Sequence, residues 1–222
     1  MWRSALKVVL GTAAFAAVHS ILASRRAKDL AAEAFGPENR NTWYRPFYLA
    51  QSFVTFGLLG LYARRLPDRT LWIVPAPLRL VFHIGQGSAL VWAVITANEV
   101  GILEMLGAAG VAARLAGEQV PPEPEAQGPA LAPDGQIKAT GPFRLSRHPL
   151  NLAPLPVFWL WPRMGVKLLA FNAAATLYLA AGSLHEASRL RQAFGAAYID
   201  YEKRGVPFYL PCPWHKRADD HS

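Results

Sequence analysis

The sequence predicts an all-α, polytopic membrane protein. About five membrane helices are expected, including a C-terminal helical hairpin, followed by a cytoplasmic C-terminal helix. Three observations carry this. Apolar residues arrive in long blocks, Ala5–Ala23, Phe47–Ala63, Leu78–Ala97 and Val166–Leu184, each near the roughly 20 residues that cross a bilayer core. Charged residues make up only 17% of the chain and hydrophobic ones 52%, where an average soluble chain carries about 25% charged residues. Lysine and arginine gather in the connectors rather than in the blocks.

In chain order, a first helix is expected from about Ser4 to Ser24. Arg3 and Lys7 could mark a secretory signal, but Ala-Ser-Arg-Arg after the block is a poor cleavage context, so a retained helix is predicted. A basic connector follows, in which Ala27–Phe35 reads as a short amphipathic helix stopped by Gly36-Pro37. Helix two covers about Arg45–Arg64. Pro67 and the Pro75-Ala-Pro77 pair bound the next connector, and helix three covers about Leu78–Val100, with Gly85 and Gly87 allowing close helix contact. Glu104–Leu115 reads as an interfacial segment. Pro149–Trp161 is apolar but short and broken by proline, and Trp159 and Trp161 suit an interface belt. With Val166–Leu184 it would form a hairpin that enters and returns. Glu186–Pro213 is polar and helical to about Tyr201.

The stretch VPPEPEAQGPALAPDG cannot bury enough apolar surface to pack, and proline blocks regular pairing. The expected organisation is therefore N-terminal membrane helices over residues 1–119, a Pro/Gly-rich loop over 120–139, a cofactor-binding region over 140–213 and a polar tail over 214–222. With five membrane segments, fifteen of the 23 Lys and Arg fall on the face of the C-terminus and eight on the other. The positive-inside rule then predicts a cytoplasmic C-terminus, an outside N-terminus and a bacterial inner membrane. The net charge of +8 reads as topology and contact with membrane lipids, not nucleic acid, because no basic helix carries interleaved base-stacking aromatics. A single cysteine, Cys212, excludes an internal disulfide.

The chemistry concentrates in GPFRLSRHPLN and in the helix beginning HEASRLR. If the hairpin returns the chain, Arg144, Arg147, His148, Glu186, Arg189, Tyr198, Tyr201 and Arg204 share one cytoplasmic face. Such a set suits a zwitterionic cofactor. Arg or His takes a carboxylate through charge-assisted hydrogen bonds. Glu takes an ammonium or a pair of ribose hydroxyls, and aromatic faces hold an adenine or a sulfonium cation.

The order Gly141-Pro142-Phe143-Arg144, Arg147-His148-Pro149, Glu186, Leu190, Phe194-Gly195, Tyr198, Tyr201, Val206-Pro207 resembles the membrane methyltransferase superfamily of isoprenylcysteine carboxyl methyltransferases and phospholipid methyltransferases. WPRMGVKLLAFNAAATLYLAAG is similar to the bacterial branch that methylates small thiols such as methanethiol. The resemblance implies S-adenosylmethionine as cofactor, held by Arg147, His148 and Glu186, with Tyr198 and Tyr201 as pocket walls or helix-packing residues; Arg144 and Arg189, on the same face, complete the candidate cofactor-binding set. It implies a small thiol, prenylcysteine or lipid-soluble methyl acceptor. Two positions depart from the pattern: Asn151 stands where that superfamily has Tyr, and Ala187 where it has a second Glu.

The N-terminal half resembles a different group. VHSILASRR, then Gly36 and Tyr44 ahead of an apolar helix, looks like the NnrU family, which includes a haem-dependent carotene isomerase. Members also carry Arg-His-Pro-Leu-Asn, which would account for Asn151. That resemblance implies haem b as an alternative cofactor, with His19 and His148 as candidate axial ligands, and isomerisation of a polyene as an alternative activity. A membrane accessory protein without catalysis is the third reading. A neutral histidine bonded to a neighbouring helix is the plainer role for His19. No catalytic base is evident, and Glu99, at the end of helix three, could approach the acceptor.

Overall fold

A computed structural model describes residues 2–124 and 126–210. Ten α-helices and two short strands are placed among the described residues. Helix α1 is Trp2–Ala23, α2 Arg25–Phe35 and α3 Pro37–Arg65. Strand β1 (Thr70–Ile73) precedes α4 (Ala76–Val100), α5 (Ile102–Leu106) and α6 (Ala108–Ala116). A 3-10 turn at Gly141–Arg144 leads into α7 (Pro149–Leu152) and α8 (Pro154–Trp159). Strand β2 (Arg163–Gly165), α9 (Val166–Phe194) and α10 (Ala196–Lys203) complete the order.

Among the described residues, three helices are long and apolar enough to cross a membrane, α1, α4 and α9. They present large apolar side chains outward, such as Leu10, Ile21, Leu80, Val91 and Leu177, as lipid-facing helices do. These helices mark a membrane protein. The expected five spans are not reached by this measure. The second expected span lies inside α3, but α3 opens with the polar run PENRN and is not one of the three. The first limb of the expected hairpin is two helices of four and six residues. Proline is the reason: α7 and α8 each begin on one, Pro149 and Pro154, whose ring suits a first turn and cannot continue a preceding helix. The all-α class holds, with one addition: the short strands β1 and β2 pair antiparallel, Thr70 with Gly165 and Ile73 with Arg163.

The chain divides into two compact units, each discontinuous in sequence. The first takes the chain up to Pro75, Leu103–Pro124 and Pro162–Tyr178. In it α1 packs on α3 at Gly11, where a Cβ would lie 2.7 Å from Leu59 Cδ1. Gly107, at φ 73°, turns the chain between α5 and α6, and a Cβ there would meet Pro46 and Arg45 at 2.7 and 2.8 Å. The Lys167 ammonium donates to the carbonyls of Ala63 and Leu66, 2.7 and 2.6 Å, at the end of α3. A cation there satisfies carbonyls that have no helical partner. Glu123, near the end of the proline-rich loop's first part, accepts from Lys28 at 2.7 Å and Arg40 at 3.5 Å.

The second unit takes Ala76–Ile102, Glu125–Trp161 and the chain from Leu179 onward. Here α4 packs against the 3-10 turn, α7 and α8. Trp92 donates to the Pro149 carbonyl at 3.0 Å and Gln86 to the Val157 carbonyl at 2.9 Å. The first bond ties α4 to the first turn of α7 and the second to the last turn of α8. A small core of Ile137, Leu190, Tyr198 and Tyr201 seats α10 and the second half of α9. The division between units falls inside the predicted proline-rich loop. Cys212 and the polar tail lie outside the described residues.

Candidate functional site

The Arg-His-Pro element lies wholly in the second unit. Gly141, at φ 49°, starts its turn, and a Cβ there would sit 3.0 Å from Glu99 Oε1. Glu99 anchors the approach by accepting from the Thr140 hydroxyl at 2.7 Å. Ser146 is fully buried; its Oγ accepts the His148 N–H at 3.2 Å and donates to the Phe208 carbonyl at 3.2 Å. The Arg147 N–H donates to the Pro207 carbonyl at 2.9 Å. Segment 206–209 is thereby held beside the histidine, with the Phe208 ring 4.6 Å from the imidazole.

His148 is 1% exposed. Its Nδ1 lies 2.9 Å from Glu186 Oε2 on α9, and the Asn151 amide donates to the same oxygen at 2.8 Å. His148 Nε2 is buried and has no partner among the described residues. Buried polar atoms are almost always paired. The Tyr198 hydroxyl is likewise buried without a partner, in a side chain with no exposed surface.

A second cluster sits next to the first. Glu202 pairs with Arg147 and accepts two bonds from Arg191, each 2.8 Å. The Arg147 guanidinium stacks over Phe208, 5.7 Å from the ring centre. Burial alone would raise the Glu202 pKa, but the hydrogen bond from Arg191 and the charges of Arg191, Arg147 and His148 outweigh it. The carboxyl is held below its usual range. Burial, reinforced by the Glu202 charge, pushes the Tyr198 phenol up to about 12. Burial also raises Tyr201, whose hydroxyl donates to the Phe143 carbonyl at 2.5 Å.

The predicted site residues thus fall into distinct roles. His148 pairs with Glu186 and Arg147 with Glu202, and the charges of Glu202, Arg147 and Glu186 act on the Tyr198 phenol. Tyr201 is fully buried and spends its hydroxyl on the backbone. Arg189 is half-buried, three residues beyond Glu186 on α9, and Arg144 is exposed. Arg204 donates to the Ile137 carbonyl at 3.2 Å and so fastens α10 to the loop. Ala187, the second departure from the superfamily pattern, is 3% exposed and packs inside the unit.

Sequence reasoning missed Glu202, Phe208 and Ser146, and left Asn151 without a role. Two signals were present. Asn151 stands three residues after His148, the spacing of helix neighbours, and Glu202 stands four after Tyr198. Ser146 and Phe208 gave no local signal.

His19 belongs to the first unit. Its Nδ1 bonds Ser52 Oγ at 2.9 Å and its Nε2 bonds the Tyr48 hydroxyl at 2.6 Å. The Ser52 hydroxyl donates onward to the Tyr48 carbonyl at 2.7 Å. Both ring nitrogens of His19 are thus engaged in hydrogen bonds, and axial ligation of a haem iron by His19 would require one of these bonds to be given up.

Comparison with known proteins bears on these groups. Over 226 aligned residues the chain is 27% identical to a methanethiol S-methyltransferase of Pseudomonas deceptionensis, covering 95% of this chain and 74% of that one. The chain is thus similar, over most of its length, to a named methyltransferase. It is also 26% identical over 208 residues to methanethiol S-methyltransferase 1 of Bradyrhizobium diazoefficiens, covering 92% of this chain and 65% of that one. Methanethiol S-methyltransferase 2 of the same organism is 37% identical over 78 residues, which cover 35% of this chain and 30% of that relative. No family model matches the chain, and no solved structure matches it. Kinship with methyltransferases meets the expectation from the Arg-His-Pro and Glu elements, while the NnrU-like resemblance of the N-terminal half finds no counterpart among these three relatives.

Proposed function

We propose that this chain is an integral membrane methyltransferase that uses S-adenosylmethionine and methylates a small thiol. The observation that carries the reading is a buried cluster whose polar atoms lack partners. His148 Nε2 and the Tyr198 hydroxyl are both unpaired and buried, beside a carboxylate and a guanidinium. Unpaired donors and acceptors of this kind fit a polar ligand that completes them. The names of the relatives support a thiol as acceptor; a prenylcysteine or another lipid-soluble acceptor belongs to the same chemistry.

The residues present fit the proposed donor. Arg147, Glu186, Arg189 and Tyr198 would hold it, with His148 among them. Arg147 offers a cation for a carboxylate, and the second oxygen of Glu186 offers an acceptor for an ammonium or a hydroxyl. Arg144 and Tyr201, also in the candidate set, would serve at the rim and in the packing. When bound, S-adenosylmethionine supplies an electrophilic methyl group on a sulfonium sulfur. The chain's own part is alignment and the exclusion of water. Phe208 lies against both His148 and the Arg147 guanidinium and would form one side of the cluster. No covalent nucleophile on the chain is needed, because the acceptor sulfur attacks the methyl carbon directly.

Calorimetry with S-adenosylmethionine on the detergent-purified, folded chain tests the reading. Saturable binding below millimolar concentration is expected, followed by transfer of a labelled methyl group to methanethiol. No binding at millimolar cofactor would overturn it. Transfer to a prenylcysteine or a phospholipid instead of the thiol would keep the donor and replace the acceptor.

A further inference from the structure

We infer that Glu202 is a positioning residue for the carboxylate of the methyl donor: with Arg191 it fixes the Arg147 guanidinium in the orientation that receives that group. The inference rests on the S-adenosylmethionine reading and deepens it. Glu202 lies outside the residues that the superfamily resemblance implies, and its role leaves Arg147, His148 and Glu186 among the groups that hold the cofactor.

A guanidinium carries five N–H groups in one plane and takes a carboxylate edge-on, in that plane. Arg147 is restrained on its face and at one end. Its flat face lies over Phe208, 5.7 Å from the ring centre. One terminal nitrogen, Nη1, donates to Glu202 Oε1. The backbone N–H of the same residue donates to the Pro207 carbonyl at 2.9 Å and so fixes the root of the side chain. Arg147 Nε is buried and has no partner among the described residues, although the side chain as a whole stays 20% exposed. A buried N–H of a charged group is costly to leave without an acceptor. The edge left over therefore fits an anion brought by a ligand.

Glu202 can hold Arg147 because it is itself held. It accepts from Arg191 Nε and Nη2, each at 2.8 Å, a two-pronged charge-assisted bond. Gly195, at φ 55°, turns the chain between α9 and α10, so that the last turn of α9 and the end of α10 meet across it. Tyr198 and Tyr201 seat α10 in the small core with Ile137 and Leu190. The bond and charge of Arg191, with the charges of Arg147 and His148, keep the carboxyl ionised.

The charges leave room for a second anion. Two guanidiniums meet one carboxylate, so the trio keeps one net positive charge. Glu186, the other carboxylate acting on Tyr198, has its Oε2 engaged by His148 and Asn151. Without the Glu202 charge, Arg147 and Arg191 are left as neighbouring like charges, and the long Arg147 side chain is free to turn. Ordering it then costs free energy at the moment of binding.

The test measures binding of S-adenosylmethionine and of its decarboxylated analogue, which keeps the sulfonium, the ammonium and the adenosine. Calorimetry is run on the detergent-purified parent and on Glu202→Gln, with thermal unfolding followed on the same samples. The parent is expected to prefer the intact compound by about ten- to hundredfold, the contribution of a charge-assisted bond. Glu202→Gln is expected to weaken S-adenosylmethionine about tenfold and to bind the analogue within about twofold of the parent. A purely structural role would weaken both compounds alike, and that result overturns the proposal. Unchanged binding of S-adenosylmethionine overturns it too, and so does tighter binding, which would make Glu202 a competitor for Arg147. Should Glu202→Gln not melt cooperatively, Arg191→Gln decides. Its side chain is 48% exposed, and its loss frees Glu202 on one side only. A preference for the intact compound reduced about threefold is expected there, and an unchanged preference overturns the proposal. A parent that binds neither compound defeats the methyltransferase reading itself, whereas a parent that binds both equally keeps that reading and overturns this inference alone.

Discussion

Asn151 shows how a single side chain alters the chemistry of a site. Placed three residues after His148, it gives the Glu186 carboxylate a second donor at 2.8 Å, on the oxygen that His148 already uses. A hydrogen bond to a charged group contributes about 1.5–3 kcal/mol. Asn151→Ala frees the carboxylate to rotate and is expected to weaken S-adenosylmethionine binding roughly tenfold, equivalent to about 1.4 kcal/mol. Asn151→Asp is expected to do worse, because it sets a second carboxylate against Glu186 and removes the donor. Calorimetry on both variants, with unfolding followed in parallel, checks this ranking. Asp binding better than Ala would show that Asn151 does not hold Glu186 through its amide.

At the scale of elements, α10 is the piece that brings charge to the site. Its Tyr198 and Tyr201 are fully buried and join the core with Ile137 and Leu190, while Glu202 on its next turn pairs with Arg147 and Arg191. This gives the docking of α10 a pH dependence of known sign. The folded pKa of Glu202 is depressed, so the stability it contributes is present above the unfolded value, about 4.3, and is lost as pH falls through the lower folded value. Thermal unfolding of the parent should therefore drop between about pH 5 and pH 3 more steeply than that of Glu202→Gln, and the two should converge at the acid end. Parallel curves would remove Glu202 from the docking of α10. The phenol of Tyr198 acts in the opposite direction: its neutral form contributes below about pH 10, and that contribution is lost as pH rises through about 12.

At the scale of the whole molecule, the membrane sets the frame. Three helices among the described residues can cross a bilayer; counted over the five segments expected from sequence, the excess of Lys and Arg on the C-terminal side leads us to propose a cytoplasmic C-terminus. That placement would give a water-soluble donor access to the Arg-His-Pro cluster from the cytosol. A reporter fused after Ser222 that is active only in the cytosol should be active, and one that requires export should be silent. The reverse pattern would invert the topology and move the proposed donor entry to the other side.

Sequence alone determined what depends on neighbours in the chain. Apolar blocks marked α1, α4 and α9 because burial in lipid needs an uninterrupted run of about twenty residues. Proline marked the starts of α7 and α8, because a missing N–H is tolerated only in a first turn. Arg147, His148 and Glu186 declared their chemistry by type and order, and similarity to methanethiol S-methyltransferases agrees with the resemblance they carry. Only the tertiary structure decided which groups meet. The bond of Asn151 to Glu186, the hold of Ser146 on Phe208 and the pairing of β1 with β2 each join residues far apart in the chain. No periodicity encodes such meetings. The double engagement of His19 was equally invisible, because a buried histidine reads the same in sequence whether its nitrogens are free or spent. Hydropathy and backbone restraint act along the chain, whereas the pairing of a lone pair with a donor is settled only when distant segments are brought within about 3 Å.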